Sequence, residues 1–523
     1  MVTSRRRLGL ALCTAWLCAV GTGALAAEPL KPEQSRLGIN LAGPADWNTE
    51  LPFVDVFRLS RKWISQQQGK PWGKGPTLER DANGWVKRLE PQCWADTPLC
   101  TIAGGRYPQG QYTCLYEGEG KIALRNMGRI VSHEPGRMVF ETKPGSGAMW
   151  LSIRRTNPAN YIRNIRVLMP GCEKTYAAEP FAPAFLERWK AFNTIRFMHW
   201  MKTNGSRIRT WADRPTPTTC NFTERGVPVE VMVALCNRLK ANPWFCMPHL
   251  ATDDYVRQFA QVVKARLDPS LRVHIEYSNE IWNSMFSQTR YAGEQGLKLG
   301  FGDKSWEAGW RYCAWRSVQI FKIWEEVFGG TDRLVRVIAS QCNTYVSERK
   351  LEFRDAYKHC DVIAIAPYFH LNVPKSSNKP SRPDAATVAA WPLARLLDHV
   401  QAVCLPRAIK AMQAHKKLAD KYGLKLMAYE AGQHLVGVGG GENNQALTRL
   451  FHAANHSPRM GVLYTRYLDA WRAAGGDTLC IFSSVGRWSK WGSWGLAEYF
   501  DEAEADQPKL KAVMEWNRAH PRE

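Results

Sequence analysis

From residue 181 onward the chain repeats one unit: a short apolar run, a turn, and then a stretch with helical periodicity. Strands separated by helices pair in parallel, because each crossover carries the chain back to the edge it left. Runs at 193–198, 244–247, 272–277, 334–340, 361–366, 424–430 and 478–484 read as strands, with helices at 185–192, 227–241, 253–267, 305–328 and 405–422 between them. One further run at 36–43 supplies an eighth strand. Eight parallel strands close a ring, so the predicted fold is α/β, a (β/α)8 TIM barrel.

Two of these strands end in a carboxylate. Residues 272–283 read R-V-H-I-E-Y-S-N-E-I-W-N: apolar Val273 and Ile275 alternate as in a half-buried strand, and Ser278-Asn279-Glu280 breaks the pattern. Residues 424–433 read L-K-L-M-A-Y-E-A-G-Q and end a second strand at Glu430. In such a barrel the residues just past the strands' C-terminal ends line the active-site mouth. Two glutamates delivered there from distant strands are what paired-carboxylate chemistry at a glycosidic bond requires.

Asn279-Glu280 and Tyr429-Glu430 resemble the fourth- and seventh-strand motifs of the clan A retaining glycoside hydrolases, whose fold is a (β/α)8 barrel. Gly38-Ile39-Asn40 resembles the G-x-N on the first strand of its family-5-like members. The resemblance implies Glu430 as nucleophile and Glu280 as general acid/base. It implies Asn279 as partner of the sugar 2-hydroxyl, Arg196 as the cation that keeps the nucleophile ionised, and Tyr368 as a donor to it. His199 and His249, at the ends of strands two and three, would be walls of the subsite. The pattern departs at strand eight: where the family carries a tryptophan platform, this chain has Phe482-Ser483-Ser484, and Trp488, Trp491 and Trp494 follow in the loop. Trp488 is the first candidate for the missing platform, and Trp282 and Trp47 are candidates to stack on sugar rings.

Between the first and second barrel strands the character changes. Residues 65–175 are rich in Gly, Pro and short alternating runs at 112–117, 121–126, 138–142, 149–154 and 162–169, which suggests an inserted β-sandwich-like module. The expected organisation is therefore a leader at 1–27, the start of the barrel at 28–64, the module at 65–175 and the rest of the barrel at 176–523. Such a module could bind sugar or wall the cleft. Its Trp72, Trp85, Trp94 and Trp150 could stack on sugar, although tryptophan in a small sandwich is more often core.

The leader joins Arg5-Arg6-Arg7, an apolar run at 8–20 and small residues before Ala26-Ala27, the three regions of a secretory signal. Ser4-Arg5-Arg6 with Leu8 also loosely resembles a twin-arginine signal, so a secreted or periplasmic location is expected. The apolar run is too short for a transmembrane helix. The formal charge is +22, which is that of a basic protein with a solvated surface more often than of one built for an anionic partner such as an acidic polysaccharide. No nucleic-acid motif is present. Twelve cysteines remain after the leader, an even number that permits disulfides, with Cys93–Cys100 and Cys342–Cys360 the local pairs to try first. No C-x-x-C and no H-x-H on the first strand occur, so no metal is expected. The glycines at 437–444 lack a following Lys-Ser/Thr, so no phosphate cradle or other cofactor is expected either.

The leading expectation is an exported retaining β-glycosidase acting on a polysaccharide, β-glucan or hemicellulose. A carbohydrate-binding or adhesion protein on an inactive barrel and a transglycosylase using the same residues are the alternatives. Sugar, linkage, exo or endo action and oligomeric state stay open.

Overall fold

The computed structural model describes residues 31–125, 128–142, 147–378 and 382–522. The leader at 1–27 lies outside the described residues. Eight parallel strands close a barrel: β1 (Leu37–Asn40), β2 (Thr194–Arg196), β3 (Asn242–Met247), β4 (Val273–Tyr277), β5 (Leu334–Ala339), β6 (Val362–Ile365), β7 (Lys425–Ala431) and β8 (Leu479–Phe482). Pairing of β1 with β8, Leu37 opposite Leu479 and Asn40 opposite Phe482, completes the ring. The chain thus forms the barrel that its strand and helix alternation predicts.

Every residue of β4 is buried, because the strand has two interiors. Tyr277 packs on Tyr312 of the helix Ser305–Phe328, so the odd-numbered residues face the helical shell. His274 stacks on Trp244 and Glu276 reaches Arg196, so the even-numbered residues fill the lumen. The shell is held by aromatic packing: Phe245 of β3 lies 5.0 Å from Phe259 and 6.5 Å from Trp324, two residues of neighbouring helices. Fully burying one such side chain contributes about 1.5–3 kcal/mol. Within Ser305–Phe328, Trp324 is core, while Trp306 is 47% exposed and pairs with Trp310 at the helix start.

Between β1 and β2 the chain forms two four-stranded antiparallel sheets. In the first, Cys93–Cys100 and Met149–Thr156 are the central strands, flanked by Ile64–Gln67 and Gly120–Arg125. In the second, Gln111–Glu117 and Arg137–Glu141 are central, flanked by Arg163–Leu168 and Arg129–Glu134. Trp85 is buried in their shared core against Phe57, whereas Trp72 is half exposed and meets Trp150 edge-on.

Two features depart from the sequence reading. Residues 433–438, part of them expected as a glycine-rich loop, form the strand Gln433–Val438, which pairs in parallel with Phe369–Pro374 above β6 and β7. The described cysteines are all free thiols, so the expected disulfides are absent among them. Cys93 and Cys100 are close in sequence but sit at opposite ends of one extended strand, roughly 23 Å apart at 3.3 Å per residue, while a disulfide needs Cα atoms within about 7 Å. Cys342 follows β5 and Cys360 precedes β6, which puts them at opposite ends of a barrel of parallel strands.

Candidate active site

The end of β4 shapes the site. Ser278 and Glu280 both adopt left-handed backbone, φ 59° and 44°, a conformation disfavoured by about 1–2 kcal/mol for a residue with a Cβ. The turn is held from three sides: Ser278 N donates to Met247 O, Gln288 Nε2 to Asn279 O (3.0 Å) and Thr289 Oγ1 to Glu280 O (3.2 Å). It stops the ladder and turns Asn279 and Glu280 into the mouth. Asn279 is fixed at both ends of its amide, Oδ1 accepting from Arg196 at 2.8 Å and Nδ2 donating to Asn204 at 3.0 Å. Glu280 Oε2 accepts from Asn283 at 2.9 Å.

Arg196 is the hub of the lumen, with no exposed surface. Its Nε and Nη2 grip the Glu276 carboxylate (2.9–3.1 Å), Nη1 donates to Glu430 Oε1 and to Asn40 Oδ1 (both 3.0 Å), and Nη2 also reaches Asn279. These contacts employ all five guanidinium hydrogens. Tyr429 and Trp244 present their ring faces to the same cation, at 5.0 and 5.7 Å. Tyr368 O–H donates to the other oxygen of Glu430, Oε2, at 3.0 Å. Glu430, Arg196, Tyr368 and Asn279 thus form one bonded network.

The two candidate carboxyls feel each other but sit in different surroundings. Burial pushes the Glu280 carboxyl up to about 8, with the negative charge of Glu430 as the second cause. Burial also raises Glu430, but the charge of Arg196 and the hydrogen bonds from Tyr368 and Arg196 pull it back. Protons leave such a pair as a unit. With a cation and two charge-assisted donors on Glu430 and only one amide donor on Glu280, the first ionisation belongs to Glu430 and the proton stays on Glu280.

A cleft of about 560 Å³ opens beside this network, lined by Trp47, His199, Asn204, Phe482, Trp491 and Trp494 among others. Phe482, at the end of β8, lies 6.3 Å from the Tyr368 ring, and Trp494 lies 5.8 Å from Phe482 and 6.2 Å from Tyr368. Trp488, the first candidate for the platform, is buried instead: its indole N–H donates to Gly495 O, and its ring packs on His456 and under the Lys509 ammonium. His199 lines the cleft against Phe482, and burial lowers its imidazole to about 4, so it is neutral. His249 is also held neutral by burial, to about 4, but its ring packs on Tyr291. Trp282 donates to Tyr429 Oη at 3.2 Å, beside the pair.

The sequence reading missed Glu276, Asn204, Asn283 and His434, and placed Trp494 behind Trp488. Glu276 and His274 were the polar face of an alternating strand, the pattern of a solvated face, and only ring closure turns that face into the lumen. His434, 4.6 Å from Trp494 and 5.2 Å from Tyr368, is carried in by the added strand Gln433–Val438. The sheets between β1 and β2 also reach the mouth: Asp46, next to Trp47, is gripped by Arg61 at 2.7 Å, just before the first of their strands, and by Thr101 Oγ1 at 2.9 Å, directly after the strand Cys93–Cys100. Among the described residues no three His, Cys, Asp or Glu side chains converge as metal ligands do, and no helix is long and apolar enough to cross a membrane.

No protein-family model and no curated protein matches the chain. Among solved structures it is similar to an α-L-arabinofuranosidase from Thermotoga maritima, at 14% identity over 63% of this chain and 61% of that one, TM-score 0.36. It is similar to a 4-O-α-L-rhamnosyl-β-D-glucuronidase from Fusarium oxysporum, at 12% identity over 66% and 67%, TM-score 0.41. It is also similar to the CBM22-1–GH10 modules of a Clostridium thermocellum endo-1,4-β-D-xylanase, at 9% identity over 92% and 99%, TM-score 0.38. The chain spans about three fifths of the arabinofuranosidase. These structural neighbours are glycoside hydrolases by name, and the eight-stranded parallel barrel of this chain is read from its own strand pairing.

Proposed function

We propose that the chain is an exported retaining β-glycoside hydrolase that cleaves a polysaccharide by double displacement. The reading rests on one observation: two interacting carboxyls at one barrel mouth, one stabilised as an anion by Arg196 and Tyr368, the other kept protonated by burial and by the first one's charge. Opposite protonation states on neighbouring carboxyls define the two roles of a glycosidase.

In the first step a Glu430 oxygen bonds to the anomeric carbon while the bond to the leaving oxygen breaks and Glu280 gives that oxygen its proton. Once Glu430 is an ester, the charge that helped raise Glu280 is gone, so the Glu280 carboxylate becomes a base. It takes a proton from water, the water oxygen bonds to the anomeric carbon, and Glu430 leaves as a carboxylate with Arg196 and Tyr368 in place. The second hydrogen of Asn279 Nδ2, not used toward Asn204, is free for the sugar 2-hydroxyl.

A panel of β-linked polysaccharides tests the reading, with the anomer released first identified by proton NMR. The β-anomer is expected, with turnover abolished in Glu430→Gln and in Glu280→Gln. The α-anomer, or turnover surviving in Glu430→Gln, refutes it. Export is tested separately by N-terminal sequencing of protein recovered outside the cytoplasm, where cleavage after Ala26 or Ala27 is expected.

A further inference from the structure

The cleft beside the carboxylates has an electrostatic character that hydrolysis of a neutral glycan does not call for. Two cations, Lys202 and Arg487, line it, and among the described residues no acidic side chain does. Arg487 is exposed and makes no ion pair or side-chain hydrogen bond among the described residues. Lys202 gives one hydrogen to Thr223 O and keeps two. The same cleft carries two of the most exposed large aromatics in the protein, Trp47 at 65% and Trp491 at 62%. The Lys490 ammonium rests 4.7 Å from the Trp491 ring.

A single exposed arginine on a basic protein is ordinarily just solvated. Here the guanidinium stands in a concave site whose aromatic faces suit the apolar faces of sugar rings. No carboxylate cancels its field there, and a cleft of one charge sign concentrates ions of the other sign. The planar fork of arginine matches a carboxylate or a sulfate with two parallel hydrogen bonds.

We propose that this cleft is a subsite for an acidic sugar residue, one bearing a carboxylate or a sulfate on the ring. Trp47 and Trp491 cover the sugar faces, Arg487 takes the anion and Lys202 supports it. The inference deepens the proposed function by naming the substrate class, and it rests on that reading only for the relation of the cleft to the scissile bond.

The test uses the full chain carrying Glu280→Gln, which holds ligand without turnover, in titration calorimetry. Three tetramers share one β-1,4-glucan backbone: the neutral one, its C6-carboxylate form and its C6-sulfate form. At least one charged tetramer should bind about tenfold tighter than the neutral one, the gain of a bidentate charge-assisted pair. The advantage should shrink in high salt and vanish when Arg487→Ala is added, with affinity for the neutral tetramer unchanged. Whichever charged form gains more identifies the anion. Equal affinities, an advantage that survives Arg487→Ala, or no binding of either charged form would overturn the inference. The two proposals fail separately: an Arg487-dependent anion preference in a protein that hydrolyses nothing sinks only the hydrolase, and hydrolysis without that preference sinks only the subsite.

Discussion

Replacing Arg196 with methionine, close in volume and uncharged, tests the lumen network most severely. The guanidinium is fully buried and faces two carboxylates whose side chains are 1% and 6% exposed, Glu276 and Glu430. Removing one partner of a buried ion pair costs about 3–5 kcal/mol, because the charge left behind has neither water nor counter-ion. The cost depends on pH. Without the cation, burial holds the Glu430 carboxyl above its unfolded value of about 4.3, and each unit of elevation costs about 1.4 kcal/mol once the pH is above the folded value. A group with a raised folded pKa favours folding below its unfolded pKa and loses that contribution as pH rises through the folded one. Arg196→Met should therefore lose about 3–5 kcal/mol in urea unfolding near pH 7.5 and clearly less near pH 5. A loss under about 1 kcal/mol, or one independent of pH, would refute the account of Arg196 as the compensating charge for both glutamates.

Tyr368→Phe removes one donor to the Glu430 carboxylate, a bond worth about 1.5–3 kcal/mol, so kcat should fall tenfold or more; unchanged kcat would count against the role. Glu280 acts first as an acid, so kcat/KM should decline as pH rises through about 8, with the limb belonging to the coupled pair; a flat profile to pH 9 or so contradicts the protonated acid. Trp494→Ala should raise KM with little effect on stability, whereas Trp488→Ala should destabilise by about 3–5 kcal/mol as a buried tryptophan does; the reverse pattern would restore Trp488 as the platform. Thiol titration of the denatured, unreduced chain without its leader should count all twelve remaining cysteines, and any shortfall would reveal a disulfide.

The ring of strands was legible because its signal is long-range and redundant: eight apolar runs separated by helices admit little else. The two glutamates were legible because each marks the point where a strand's alternation stops. Arg196 could be placed on β2 as a cation in an apolar run, but its second partner, Glu276, could not. A polar side chain at every second residue, here His274 and Glu276, is the mark of a solvated face, and only closure of the ring makes that face a lumen. The choice among Trp488, Trp491 and Trp494 was beyond periodicity, since the loop has none, and hydrogen bonds within it turn Trp488 inward and leave Trp494 on the cleft. The cysteine pairs failed for a related reason. Nearness in sequence is not nearness in space when the intervening residues are extended or span the barrel.

The assignment of Glu430 as the attacking group and Glu280 as its proton donor is tested most directly by trapping. The protein is incubated with a panel of 2-deoxy-2-fluoro β-glycosyl fluorides, whose fluorine slows release of the intermediate, and the peptides are then mapped by mass spectrometry. A single sugar on Glu430 is predicted, forming in the wild-type chain and in Glu280→Gln and absent in Glu430→Gln. A sugar on any other residue, or steady turnover of these substrates with Glu430 never labelled, would contradict it.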